Sequence, residues 1–420
     1  MEDAIAIVLA AGKGTRMKSE KSKQVHKILG KEIVLRAVEN AKNAGIEDII
    51  AVVGYKKEQV QAVLQDKVKY AYQEDMLGTG HAVMQAREYL KDKKGKVVVL
   101  NGDVPILRPE TIKKLIEKSN NNKEYATLLS AIYDNPYGYG RIIRDESGNV
   151  EAIIEEKDAD EIQKEIKEIN AGIYCFDIQE LLKALDEIDN DNASGEYYIT
   201  DVIKIMNDKG LKVGAVIVED NTEILGVNDK VQLEILTRIL RLRINAEHMR
   251  NGVIIEDTNT TYIYDDVEIG TDTVIHPNTT IKSNTKIGSN CEIGPNAYIR
   301  ENCELADNVK IGNCVEIKKT KIGQGTKVPH LIYLGDCEVG EHTNIGCGTI
   351  TCNYDGFHKS KTIIGNNVMV GSNTNFVAPV KIGDNAFIGA GSTITDDVPE
   401  YALAIARQRQ LNKENWNKRN

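Results

Sequence analysis

The stretch "VEIGTDTVIHPNTTIKSNTKIGSNCEIGPNAYIRENCELADNVKIGNCVEI", residues 267–317, decides the fold of the second half of the chain. An aliphatic residue stands at every sixth position: Ile269, Ile275, Ile281, Ile287, Ile293, Ile299, Leu305, Ile311 and Ile317. Glycine follows at Gly270, Gly288, Gly294 and Gly312. A helix would repeat every 3.6 residues and a half-buried strand every two. A strict six-residue period marks a parallel β-helix, in which each repeat is one short strand and one turn. The aliphatic side chain points into the prism, and stacked coils bury one continuous core. Short strands in a sandwich would not keep so strict a beat. The beat returns at Ile364, Val370, Phe376, Ile382, Ile388 and Ile394. Between the two runs lies "TCNYDGFHKSKT", residues 351–362, too long for one turn. It must loop out of the prism, which lets it reach a neighbouring column.

Residues 1–228 follow another grammar. "AIAIVLA" is a β-branched run, and "KEIVLRAVENAKNAG" places Val34, Ala37, Val38 and Ala41 on one helical face before Gly45. "DIIAVVGY", "KEQVQAVLQD" and "KVVVLNGD" continue as strand, helix and a third strand. Alternating elements predict an α/β domain, a mostly parallel sheet covered by helices. Ligands in such sheets sit at the carboxyl ends of the strands, where "LAAGKG" and "NGD" fall. Residues 229–250 read as one connecting helix ended by Asn251-Gly252. The predicted domains are therefore 1–228, the linker 229–250, and 251–420.

A chain of 420 residues is long enough for such a division. Its net charge of −10 argues against general nucleic-acid binding. No apolar run reaches membrane-spanning length, and the N-terminus reads as a buried strand and not as a signal peptide. Seven cysteines without CxxC pairing fit reduced thiols in a cytoplasm.

"VLAAGKGTRM" lacks the third glycine of a dinucleotide fingerprint, replaced by Met17, and the spacing of a Walker A loop. What remains is a glycine turn with the cations Lys13 and Arg16, and Lys23 seven residues on. Backbone N–H groups of such a turn can hold a phosphate or a nucleobase, and the cations can neutralise a triphosphate. Asp103, after a buried strand, suits Mg²⁺, which binds through few protein ligands plus phosphates; a loop or capping role fits it equally well. In the second half, outward residues are unusual at Arg300, at Glu316 and Lys318, and at His330 and Tyr333. Histidine is the natural base for acyl transfer to an amine.

The ordered set "LAAGKGTRM…K", "QEDMLGTGHAV", "NGDVP", "GYGRI", "IIEEKDA", "EINAGIY", "GEYYITD" and "GVND" resembles the sugar-nucleotide pyrophosphorylases. With the hexapeptide half attached, nearly the full length resembles the bifunctional bacterial N-acetylglucosamine-1-phosphate uridyltransferase/glucosamine-1-phosphate acetyltransferases. That resemblance implies a Rossmann-like nucleotidyltransferase domain, a left-handed parallel β-helix, a homotrimer, and small-molecule partners only. It implies that Leu9, Ala10, Ala11, Gly12, Gln73, Gly78 and Thr79 hold the uracil and ribose of UTP. Arg16 and Lys23 would bind the triphosphate, and Asp103 and Asn228 Mg²⁺. Gly140, Glu155 and Asn170 would hold N-acetylglucosamine.

In the β-helix the resemblance makes His330 the base. Arg300, Lys318, Tyr333, Asn344 and Lys359 would form the sugar-phosphate site, with Lys359 supplied by another subunit. Cys347, Asn353, Tyr354, Ser372, Ala390 and Arg407 would contact acetyl-CoA. Cys347 stands where the family often has alanine, and nothing local marks it as a nucleophile. Ser22 and Asn101 replace a proline and a tyrosine frequent in the family. The chain also lacks about two coils between Gly294 and Arg300, a loss that solenoid stacking tolerates. An alternative reading keeps only the uridyltransferase, with the shortened β-helix as a trimerisation scaffold. A third makes the β-helix a scaffold and the first half a nucleotide sensor.

Overall fold

The computed structural model describes residues 4–414 and Trp416. The chain divides into two compact units, Met1–Ile239 and Leu240–Asn420. The division falls inside one helix, Lys230–Arg250, at the position expected for the connector.

The first unit is built on a mixed sheet. Its strands are β1 (Ala4–Ala10), β2 (Asp48–Val53), β3 (Lys69–Tyr72), β4 (Lys96–Asn101), β5 (Ala126–Ile132), β6 (Arg141–Arg144), β7 (Val150–Ile154), β8 (Glu168–Asp177) and β9 (Val213–Ile217). The main order is β9-β5-β8-β4-β1-β2-β3, with the β6–β7 hairpin joined to β8. β1, β2, β3 and β4 pair in parallel, as do β5 and β9, while β8 runs antiparallel to both its neighbours. The runs Ile5–Val8 and Val97–Leu100 are apolar without alternation because apolar cores cover both faces of the sheet. "KVVVLNGD" is thus the fourth strand and not the third. The short edge strand β3, "KYAY", buries only Ala71 and carries little apolar signal. Parallel β1 and β4 bring their carboxyl ends together. There Gly102 donates its N–H to the Leu9 carbonyl at 2.9 Å, and any Cβ at Gly102 would sit 2.8 Å from that oxygen.

The second unit is a parallel β-helix. Ile275, Ile293 and Ile311 lie in register, as do Ile281, Ile299 and Ile317. These inward residues are fully buried. A second six-residue beat, not read from the sequence, shapes the corners. Asn278, Asn284, Asn290, Asn296, Asn302 and Asn308 all take left-handed backbone conformations, φ 53–63°. Asparagine tolerates that region far better than other non-glycine residues. Several buried threonine hydroxyls donate to backbone carbonyls, as from Thr273 to Gly288 (2.8 Å) and Thr343 to Gly365 (2.8 Å), whereas those of Thr261, Thr279 and Thr362 have no hydrogen-bond partner among the described residues.

Coils advance 18 residues at first, as from Asp307 to Ser289, then 17, as from Asn353 to Asp336. The shorter coils let Glu316–Ile322 and Tyr333–Val339 run unbroken around one corner, with Lys319 and Asp336 at positive φ. Pairing continues without interruption through residues 294–300. The coil with the excursion advances 25 residues, from Thr343 to Val368. The excursion folds as a small turn closed by a Tyr354–Lys359 antiparallel bridge. The Asp355 carboxylate accepts from the backbone N–H groups of Phe357 and His358 at 2.7 and 2.6 Å. His358 is solvated at its tip, 85% exposed at the side chain.

Two candidate active sites

The first unit opens into a cleft of about 740 Å³ at the carboxyl ends of its strands. Leu9, Arg16, Thr79, Asp103, Gly140, Glu155, Asn170 and Asn228 line it. At one end Lys23 Nζ lies 2.5 Å from Asp103 Oδ2 and 3.3 Å from Asn228 Oδ1. Arg16 Nη2 donates to the same Asn228 oxygen at 3.0 Å. The Val227 N–H donates to the Asp103 carbonyl (2.9 Å), which sets the two oxygen-bearing residues side by side. Lys23 is nearly buried, its stem against Gly14, where a Cβ would collide.

At the other end, Asn170 N–H donates to the Gly140 carbonyl (2.8 Å), and Glu155 accepts from the Thr200 hydroxyl (3.3 Å). Burial raises the Glu155 carboxyl above its ordinary range; the Thr200 bond opposes this, and Asp201 and Asp158 add to it. Gln73 is buried, donating to the Gly78 carbonyl at 3.0 Å. It also borders a second cleft of about 520 Å³ with Lys13, Lys57 and Tyr72. Thr79 accepts from the Ile199 N–H at 3.2 Å. Ala10 ends β1 and is buried. Ala11 accepts from the Tyr55 N–H, and no atom lies within 4 Å of where a Cβ would stand at Gly12.

In the β-helix the candidate residues fall into two groups. One is a column along a single corner. Asn313 pairs with His330, and Ile345 and Val370 hold Cys347 and Ser372 at matching positions in later coils. Val370 pairs with Ile388, two residues before Ala390. A Cβ at Gly391 would lie 3.8 Å from Arg407 Cδ, next along the column. Asn344 sits in register with Lys327 and Met369 on the adjoining face.

The second group surrounds the next corner. Lys318 pairs with Gly335. A Cβ at Gly335 would collide with the Tyr333 hydroxyl and lie 2.9 Å from the Asn353 amide nitrogen. Asn353 donates to Asp336 at 2.6 Å, and Arg300 to Glu316 at 3.0 Å. Buried Arg300 Nε has no hydrogen-bond partner. Contact with Lys359, then burial, then the charges of Lys359 and Arg300 hold the Lys318 ammonium below the lysine range. Lys359, expected from another subunit, therefore lies beside Lys318 of its own chain, because the excursion folds back on itself. One face of the prism separates this group from the His330 column. Tyr354 is exposed, with its hydroxyl on the Gly356 carbonyl.

Comparison with known proteins bears on both sites. Residues 5–257 match the family described as Nucleotidyl transferase. Residues 284–319 and 361–396 match Bacterial transferase hexapeptide (six repeats). The chain is 51% identical to the Bifunctional protein GlmU of Acetivibrio thermocellus, with 99% of this chain and 97% of that protein aligned. It is 53% identical to the Bifunctional protein GlmU of Caldanaerobacter subterraneus subsp. tengcongensis, over 99% and 98% of the two chains. With that of Caldicellulosiruptor saccharolyticus it is 50% identical over 98% and 96%.

The chain belongs to the bifunctional GlmU family.

It is a transferase with two activities, a nucleotidyltransferase joined to a hexapeptide-repeat N-acetyltransferase. The alignment with the A. thermocellus GlmU runs over 449 positions, more than the 420 residues of the whole chain. At least 29 positions, the difference, have no counterpart here. This exceeds one 18-residue coil.

Sequence reading gave no role to Thr200 and Asp201, although both close the motif "GEYYITD", because they meet Glu155 only through folding. Burial, then Asp189 and Asp158, push the Asp201 carboxyl up to about 6 against the pull of Lys204. The folded state thus holds a proton that the unfolded chain, with its carboxyl near 3.8, has released. Stability falls as pH rises from about 4 to about 6, and the loss persists above. Asp201→Asn removes it. For a half-exposed group the gain at pH 7.5 is about 1 kcal/mol after solvent screening. Urea midpoints at pH 4.5 and 7.5 measure it. A variant no more stable than the parent at pH 7.5 refutes the assignment.

Proposed function

We propose that the β-helix acetylates glucosamine 1-phosphate with acetyl-CoA and that the first unit then joins the product to UMP from UTP. The products are UDP-N-acetylglucosamine and pyrophosphate. The observation that carries this reading is the polarity of the first cleft. Lys23, Arg16, Asp103 and Asn228 gather at one end, and Gly140, Glu155 and Asn170 at the other. A phosphate oxygen of the sugar 1-phosphate attacks the α-phosphorus of UTP, and the bond to the outgoing pyrophosphate breaks. Such a transfer needs positioning and charge neutralisation, with no covalent intermediate on the protein. Arg16 and Lys23 neutralise the triphosphate, and Asn170 and Glu155 orient the acetylated sugar.

The oxygens of Asp103 and Asn228 converge on one cationic head, Lys23 Nζ. One carboxylate and one amide oxygen are hard donors of the kind that hold Mg²⁺, which takes its remaining ligands from phosphates and water. Mg²⁺, when bound, supplies further neutralisation of the phosphate oxygens.

In the second unit, Arg300, Lys318 and Lys359 form a cationic group fitted to a sugar phosphate. His330 takes the amine proton as the amine attacks the thioester carbonyl and coenzyme A leaves as its thiol. The column Cys347, Ser372, Ala390 and Arg407 offers a continuous track for acetyl-CoA. The His330 column and the cations lie one face apart, on the order of 10 Å. We therefore assign the complete site to a homotrimer in which neighbouring prisms close that gap. Met369, Phe387 and Leu403 support this, stacking in register as a partly exposed apolar column. The chain's seven free cysteines suit action in the cytoplasm, and among the described residues no helix is long and apolar enough to cross a membrane.

The test is a paired assay on the intact chain. Thiol release from acetyl-CoA should require glucosamine 1-phosphate, and pyrophosphate release from UTP should require N-acetylglucosamine 1-phosphate and Mg²⁺. Thiol release that ignores the amino sugar rejects the bifunctional reading. Lys318→Ala should raise the KM for glucosamine 1-phosphate about 10- to 100-fold, as for one lost charge-assisted bond, with the KM for acetyl-CoA changing less than threefold. Equal rises in both KM values argue against a phosphate contact.

A further inference from the structure

We infer that Asn101 is a positioning residue that fixes the sugar end of the nucleotidyltransfer cleft by splinting β4 to the bulge of β8. The inference rests on the proposed role of Asn170 in sugar binding. β4 and β8 pair antiparallel from Asp177 opposite Lys96 to Tyr174 opposite Val99. Continued in that register, Asn101 would face Gly172. The backbones part before that point, and the side chain makes the link instead: Asn101 Nδ2 donates to the Gly172 carbonyl at 3.0 Å.

Gly172 lies in an irregular segment. Between Asn170 and Tyr174 β8 advances four residues while its other neighbour, β5, advances two, from Ser130 to Leu128. Such bulges re-aim side chains at functional sites. Gly172 has φ +70°, and a Cβ there would lie 2.6 Å from Asn101 Nδ2, so glycine and asparagine interlock. The other side of the bulge is held by Asn170 itself. Its Oδ1 accepts from the Gly172 N–H (3.0 Å), and its Nδ2 donates to the Tyr174 hydroxyl (2.7 Å). Asn101 thus holds the Gly172–Ile173 peptide group and Asn170 the Ala171–Gly172 group, so the two side chains clamp the Gly172 Cα from either side and the setting of one bears on the other. Asn101 joins the strand that leads to Asp103 to the strand that presents Asn170, and both Asn101 and Asn170 line the cleft. A tyrosine has no amide at that position and could not make this bond.

A double-mutant cycle tests the coupling, with initial rates of pyrophosphate release on the intact chain. Asn101→Ala should raise the KM for N-acetylglucosamine 1-phosphate about fivefold, the loss of one neutral hydrogen bond, with the KM for UTP within twofold. In an Asn170→Ala background the same change should add less than twofold, because residues in one network are not additive. Asn101→Asp, nearly isosteric but without a donor toward Gly172, should behave as Asn101→Ala does. A KM for UTP that rises as much as that for the sugar, multiplicative effects of the two alanine changes, or an unimpaired Asn101→Asp overturns the inference. A normal sugar KM in Asn170→Ala would instead reject the sugar-site reading itself, and the inference with it.

Discussion

Replacing Asp103 with alanine lowers kcat/KM for pyrophosphate release about 10³-fold or more and leaves thiol release from acetyl-CoA unchanged. The size follows from what the carboxylate touches. Asp103 is the anionic partner of Lys23, which is nearly buried, and with Asn228 it is the oxygen pair fitted to Mg²⁺. Its loss leaves a desolvated cation without its anionic partner and would remove one of the two oxygens proposed to hold Mg²⁺, at about 1.4 kcal/mol per tenfold in rate. Asp103→Asn separates the two contributions. It keeps the shape and an oxygen but loses the charge, so part of its defect should be recovered at high Mg²⁺. The reading fails if Asp103→Ala retains more than a tenth of the parent kcat/KM, or if thiol release falls in parallel.

His330→Ala gives the opposite pattern. Acetyl transfer should fall about 10²- to 10⁴-fold, the usual range for loss of a general base, and pyrophosphate release should persist. His330 ends the strand Lys327–His330 at a corner, paired to Asn313 below. Removing its ring leaves the buried Val328 and Ile332 in place, so the coil should still stack. A variant that keeps most of its rate would place the base elsewhere. Unchanged KM for both substrates alongside a reduced kcat would assign His330 to proton transfer and not to binding.

The β-helix was legible because solenoid geometry writes itself into the chain. Each interior position recurs at a fixed step, so Ile275, Ile293 and Ile311 announce their stacking before any contact is known. The excursion at 351–362 was legible for the complementary reason: it breaks the step. The asparagine beat at the corners was equally available in the sequence. It needs the knowledge that Asn278, Asn284 and their successors occupy left-handed backbone, which only geometry supplied. In the first unit, buried strands such as Ile5–Val8 stood out as apolar runs, whereas edge strand Lys69–Tyr72 did not.

The sequence by itself determined the two architectures, the connecting helix, and the residue types of both candidate sites, because local periodicity and short motifs fix these. Tertiary structure alone decided how those residues meet. Lys23 reaches Asp103 across 80 positions, and Lys318 gains Lys359 as a neighbour within its own chain only because the excursion closes on itself. Asn101, read in the sequence only as a replacement for a tyrosine frequent in the family, bonds the Gly172 carbonyl once β4 and β8 diverge. Such contacts depend on where strands end and turn, and on which charged groups share a desolvated space. Those are properties of the packed chain, which no local pattern encodes.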